Sequence, residues 1–196
     1  MLRRRYSPRQ RESRVKRKLL SSSSAWVRWG ALAAGLAGVL SIVGNYLLLT
    51  YPENLSLVTV LLAVSSFFVL LGLTGFHALQ KERYERLGWV AFYLLVAAYV
   101  AQILGVAVLS VDQTVWWLHW IGAVGALVGY VLYGTATTRA GVLPRWCGEA
   151  FIVAYSVATV LPGYGGILFG LIWLALGYAL WSRRNTVAGA QPTRAR

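Results

Sequence analysis

The chain has 196 residues, of which 58% are hydrophobic and 13% charged, with a mean hydropathy of +0.59. Soluble domains run nearer half apolar and about a quarter charged, so this composition excludes an ordinary soluble catalytic domain. The net charge of +13 is not a nucleic-acid signal, because the basic residues crowd the first eighteen positions or flank the apolar blocks, where the anionic cytoplasmic leaflet is the natural partner.

Residues 1–24 read as a disordered basic cytoplasmic arm. Arg3, Arg4, Arg5, Arg9, Arg11, Arg14, Lys16, Arg17 and Lys18 repel one another, and Ser21 to Ser24 form a flexible joint. The arm is suited to binding lipid headgroups or an acidic partner. Residues 25–182 then form a transmembrane domain of uncharged apolar blocks. Span one is expected over 26–50, with Trp26 and Trp29 at the headgroup layer. Pro52 ends it, and Asn54 or Ser56 is placed to cap span two, over 55–80. Span three follows over 88–110, and span four over 115–138 behind Trp116, Trp117 and Trp120. Span five, 147–161, is short for a hydrocarbon core of about 30 Å. It either crosses a locally thinned bilayer or dips in and returns with span six, 163–181. A short basic tail, 183–196, closes the chain.

The loops alternate in charge. Tyr51 to Asn54, Val111 to Thr114 and Pro162 to Gly165 carry no Lys or Arg, whereas Lys81 to Arg86 and Arg139 to Arg145 do. Basic residues favour the cytoplasmic side. The prediction is therefore an all-α bundle of six transmembrane helices, multi-pass in a bacterial inner membrane, with both termini cytoplasmic.

Glycines mark the expected packing faces. Gly122, Gly125 and Gly129 recur along span four, and Gly166 and Gly170 along span six, at spacings that let helix backbones approach closely. Packing within the chain is the first reading of these stripes, and a face for a second copy or a partner subunit the other.

The stretch from Gly75 to Phe92, GFHALQKERYERLGWVAF, and the loop from Arg139 to Trp146, RAGVLPRW, resemble inner-loop signatures in a large group of bacterial membrane proteins common in actinobacteria. A glycine-rich final hairpin similar to Pro162–Trp181 follows in that group. The resemblance implies a bacterial inner-membrane protein and brings no activity with it, since the group has none assigned.

Polar side chains inside the spans are the candidates for chemistry, because lipid makes their burial costly. Counting along the helices places Asn45, Gln102 and His119 in the outer half, with Tyr99 nearby, where they could meet in a pocket between spans one, three and four. The alternative is interhelical hydrogen bonding, worth about 0.6 kcal/mol per bond. His77 lies near the inner end of span two, too far in depth from His119 for both to ligate one haem. Either alone is at most a weak metal candidate. The single cysteine, Cys147, excludes an intramolecular disulfide and reads as packing. No acidic pair lies deep in a span, and no motif for hydrolysis or phosphate binding is present.

These features point to a non-catalytic membrane protein, foremost an accessory or scaffold subunit binding lipid and protein partners. A small transporter or solute-binding subunit is the alternative, and it requires a cavity at Asn45, Tyr99, Gln102 and His119. A pigment- or quinone-holding subunit is the third reading, permitted by nine Trp and eleven Tyr. No cofactor is called for by the sequence, bound lipid is expected, and nucleic acid is not.

Overall fold

The computed structural model describes residues 8–109, 116–161 and 163–189. They form six helices: α1 (Pro8–Thr50), α2 (Leu55–Gln80), α3 (Arg86–Leu109), α4 (Trp116–Ala140), α5 (Arg145–Val160) and α6 (Tyr164–Gly189). A single 3-10 turn, Pro52–Asn54, joins α1 to α2. The protein is a helical membrane bundle. Among the described residues, five stretches are long and apolar enough to cross a bilayer: Ala25–Thr50, Pro52–Gln80, Arg86–Gly105, Trp117–Ala140 and Tyr164–Arg183.

α5 is not one of the five. Its 16 residues reach roughly 24 Å at 1.5 Å per residue, short of the hydrocarbon thickness. Asn54 occupies the N-cap position of α2 without a side-chain capping bond, and Pro144 stands at the N-cap of α5. α1 is helical back to Pro8, inside the stretch expected to be a flexible arm. Arg, Gln, Glu, Lys and Leu there are good helix formers, and a proline suits a first turn. Arg3, Arg4 and Arg5 lie outside the described residues, as do the side chains of Arg9, Arg11, Arg14, Lys16, Arg17 and Lys18.

The helices follow one another around a ring. α1 packs along α2 on one side and α6 on the other; α6 meets α5, α5 meets α4, and α4 meets α3. The ring closes between α3 and α2, where the packing is thin. Small residues make the tight crossings, as expected where lipid removes the ordinary hydrophobic drive. Gly30 lies against Gly75 between α1 and α2, Gly38 against Gly170 between α1 and α6, and Gly134 against Gly148 between α4 and α5. Gly122, Gly125 and Gly129 face Gln102, Ala98 and Leu95 of α3. Gly166 and Gly170 face Asn45 and Ile42 of α1. Both glycine stripes read from the sequence are thus used inside the chain.

The turns follow from backbone chemistry. Gly141, with φ of 62°, ends α4 in the left-handed region, a conformation glycine adopts without a Cβ clash. Lys81, Arg83, Arg86, Arg139 and Arg145 all fall at one end of the ring, which is also where the apolar part of α1 begins. This is the basic end; the Tyr51 turn and Gly163 mark the other. The outer surface is apolar over much of the bundle: Trp29, Leu36, Phe67, Tyr93, Trp120 and Val128 are all exposed. The interior is aromatic. Phe76, Phe151 and Trp173 are fully buried and meet edge-to-face, with Phe76 and Phe151 5.1 Å apart and Phe151 and Trp173 6.0 Å apart.

Candidate functional site

The thin α2–α3 seam has two different halves. At the basic end it is closed by rings. His77 of α2 stacks on Phe92 of α3 at 4.1 Å and meets Trp89 edge-on at 4.5 Å. Tyr84, in the connecting loop, lies against both His77 and Tyr133 of α4. The α2 glycines, Gly72 and Gly75, lie closest to α1 and α6, and Gly105 of α3 lies closest to His119 of α4. Toward the Tyr51 end α2 presents Leu62, Ser65, Ser66 and Val69, while α3 presents Tyr99 and Gln102. Between them is a cavity of about 170 Å³.

Five helices line this cavity. α1 supplies Ser41 and Asn45, α5 supplies Tyr155 and Ala158, and α6 supplies Gly166 and Phe169. Asn45 is five residues before the end of α1, so the cavity sits roughly 8 Å or more into the bundle at 1.5 Å per residue. Gly166 is where it is because Asn45 is there: any Cβ at 166 would overlap the Asn45 amide. Toward the basic end the cavity meets the aromatic core. Phe169 lines it and packs on Trp173, and Tyr155 stacks on Tyr130 at 5.2 Å.

The hydrogen bonds of the lining run mostly outward, into the protein. Ser41 Oγ donates to the Gly166 carbonyl at 3.0 Å, and Asn45 Nδ2 donates to the Ser41 carbonyl at 2.8 Å. Ser65 Oγ donates across to Ala37 of α1 at 2.9 Å, and Ser66 Oγ donates back to Leu62 at 2.9 Å. Gln102 Nε2 donates to the Tyr155 hydroxyl at 2.7 Å, and the Tyr99 and Tyr130 hydroxyls share a bond of 2.7 Å. Such bonds satisfy groups that lipid could not. Each amide keeps a second N–H, and the Tyr155 hydroxyl, which accepts from Gln102, keeps its own O–H, so the lining has donors as well as oxygen lone pairs.

Of the residues singled out in the sequence, Asn45, Tyr99 and Gln102 come together at this cavity. His119 does not. It is half-buried on α4, with its backbone against Gly105 of α3 and its ring beside Trp120. α4 contributes nothing to the lining, so the expected pocket between spans one, three and four is instead built from α1, α2, α3, α5 and α6. His77 lies far from it, in the aromatic cage at the basic end. No group of three metal-binding side chains occurs among the described residues, and Cys147 is a buried free thiol.

Ser41, Ser65, Ser66 and Tyr155 were not singled out from the sequence. One signal was available: Ser41 and Asn45 are four residues apart and share a helix face. No comparable pattern marks Tyr155.

No family model matches the chain, and no solved structure matches it significantly. Among curated proteins it is similar to the probable potassium transport system protein Kup of Xanthobacter autotrophicus (strain ATCC BAA-1158 / Py2), at 26% identity over 165 residues. The match takes in 83% of this chain but 23% of that protein, so the chain spans under a quarter of the relative's length.

Proposed function

We propose that this chain is a small solute-binding or transport protein of a bacterial inner membrane, and that the cavity between α2 and α3 is its ligand seat. The observation that carries this reading is the cavity's lining. Of the buried polar residues Ser41, Asn45, Ser65, Gln80 and Thr137, the first three converge on one open space, where Ser66, Tyr99, Gln102 and Tyr155 join them. Hydrogen-bonding glue alone requires no such space. The similarity to a probable potassium transport system protein supports a transport-related role.

In the topology we infer, all six helices cross or enter the membrane, with the basic end and both termini on the cytoplasmic side. The cavity then belongs to the outer half, and the Phe76–Phe151–Trp173 cluster separates it from the cytoplasmic side. In this state the molecule holds a solute and does not conduct it. Release inward requires the thin α2–α3 seam or the aromatic cluster to rearrange. No step of this reading is catalytic, and it needs no cofactor.

The test is solute-dependent thermal stabilisation of the purified protein, with Asn45→Leu and Gln102→Leu beside the unaltered chain. Saturable stabilisation by a small polar solute, lost in both variants, is expected. Stabilisation by none of a panel of ions and small neutral solutes would overturn the reading.

A second reading, an accessory subunit holding lipid and protein partners, is favoured by a different feature. Trp26, Trp29, Leu36, Phe68 and Leu71 line an apolar groove of about 460 Å³ between α1 and α2 at the basic end. Copurification of a stoichiometric partner from the native membrane would support it. A pigment or quinone in the bundle would announce itself in an absorption scan of the same sample.

A further inference from the structure

Resting on the reading of the α1–α2 groove as a lipid-holding surface, we infer that it seats one acyl chain of an anionic phospholipid, whose phosphate is held between Arg28 and Lys81. The cavity between α2 and α3 plays no part in this site.

The groove follows from side-chain size. Gly30 and Ala33 of α1 form its floor, at the level where Gly30 meets Gly75. Trp29 and Leu36 stand on the α1 side, and Phe68 and Leu71 on the α2 side. The Thr74 hydroxyl is turned onto the Leu71 carbonyl at 2.7 Å, which leaves the lining apolar. From Trp26 to Leu36 the rise is about 15 Å at 1.5 Å per residue. That is half of a hydrocarbon core of about 30 Å, the depth of one leaflet. A volume of about 460 Å³ over that length gives a cross-section of about 30 Å². A helix 10–12 Å across covers about 80 Å² or more, so a partner helix or a second copy does not enter the groove. A hydrocarbon chain does. At roughly 30 Å³ per methylene, the size of a water, the groove takes about fifteen carbons.

The flanking charge sits at one end of this chain-sized slot. Arg28 is one turn before Leu32, at the rim of the α1 side. Lys81 is two turns past Thr74 and extends the row of Phe68, Leu71 and Thr74, since its φ of −51° and ψ of −29° continue the α2 helix. Both are exposed, and among the described residues neither is in an ion pair. α1 runs on unbroken to Pro8, toward a start that carries nine Lys and Arg in its first eighteen residues. Basic clusters beside membrane helices attract anionic lipid and hold its headgroup. A neutral lipid gains the slot without the charge pair, and free phosphate gains the pair without the slot. An anionic phospholipid gains both.

The full-length protein in detergent is titrated with phosphatidylglycerol, with phosphatidylcholine of the same chains, and with sodium phosphate. Native mass spectrometry counts the bound lipid. One phosphatidylglycerol should bind at a concentration about tenfold or more below that needed for phosphatidylcholine, and inorganic phosphate should not displace it. Arg28→Gln and Lys81→Gln should each raise the half-saturating phosphatidylglycerol concentration about fivefold and leave phosphatidylcholine unchanged. Leu36→Trp, which narrows the slot from an exposed position, should weaken both lipids. Each variant should melt with the unaltered chain when no lipid is added.

Equal binding of the two lipids, or phosphatidylglycerol binding untouched by all three variants, would overturn the inference. Displacement by inorganic phosphate would also overturn it, as an anion site without a chain. A protein that copurifies from the native membrane and is lost in Leu36→Trp, with no phosphatidylglycerol preference, would overturn the inference and leave the accessory-subunit reading standing. The preference without any copurified protein would uphold the inference and sink that reading.

Discussion

The α1–α6 seam and the α2–α3 seam are made from similar amounts of apolar helix, yet one is zipped and the other half open. Along α1–α6, glycines meet at two levels: Gly38 against Gly170, and Gly35 against Gly177. Ser41 adds a hydrogen bond to the Gly166 carbonyl at 3.0 Å. Along α2–α3 the glycines are committed elsewhere. Gly72 and Gly75 take α1 and Trp173, Gly88 takes the Tyr84 ring, and Gly105 takes the His119 backbone. With its glycines taken up elsewhere, the α2–α3 seam closes where His77, Trp89 and Phe92 supply bulk. The rest is a cavity. In lipid, where apolar side chains gain little by touching one another, the placement of small residues decides where a bundle is solid and where it is hollow.

The zipped seam is the one to break first. Gly170→Leu puts a side chain where the Gly38 carbonyl already stands, 2.6 Å from the new Cβ. It should cost about 3 kcal/mol or more, seen as loss of monodisperse protein on extraction. Gly35→Ala, on α1 across the same seam, is the control. Its Cβ meets nothing within 4 Å, so it should be neutral or slightly stabilising by helix propensity. If both behave alike, the zipped seam is not what holds α6.

The closed half of the other seam comes next. His77→Ala removes the ring stacked on Phe92 and edge-on to Trp89. At about 0.5–1.5 kcal/mol per aromatic pair, the loss should be about 1–2 kcal/mol in thermal or denaturant unfolding. The open half should tolerate what the zipped seam cannot. Ser66→Val adds bulk toward the cavity and removes only a bond from Ser66 to its own helix. Stability should stay within about 0.5 kcal/mol, while any solute-dependent stabilisation disappears. A large destabilisation would mean that the seam is already packed.

This contrast explains what could be read from the sequence. Helix existence, the alternating basic ends and the two glycine stripes were legible, since each is a one-dimensional pattern along the chain. So was the shared level of Asn45 and Gln102, because residues count out at a fixed rise and an amide in an apolar span stands out. Azimuth was not legible. His119 is at the expected level but on the α3–α4 face, since nothing in a single chain states that the ring runs α2, α1, α6, α5, α4, α3. The serines were silent for a physical reason. A serine in a membrane helix can satisfy itself on the preceding turn, as Ser66 does on Leu62. Nothing in the sequence separates it from Ser65, which reaches across to Ala37. α5 was legible as short, and its 16 residues still pack Phe151 into the centre of the bundle.

The smallest effect tests whether the closed half of the α2–α3 seam is sealed from water. Tyr84 lies in the loop beyond α2, between His77 and Tyr133. Burial raises its phenol above the ordinary range. The neutral form is the one the folded chain keeps, so this stabilising contribution is fully present below about pH 10, the unfolded value. Above that, the unfolded chain releases the proton while the folded chain retains it, and stability falls as pH rises toward the higher folded value. The slope for one such group is at most about 1.4 kcal/mol per pH unit. Tyr84→Phe keeps the ring between His77 and Tyr133 and deletes the ionisable group. At neutral pH the variant should match the unaltered chain to within about 0.5 kcal/mol. Between about pH 10 and 11 it should melt higher, because it has no phenolate to expose. Parallel melting curves across that range would mean that water reaches Tyr84 in the folded state, and that the seam is open along its whole length.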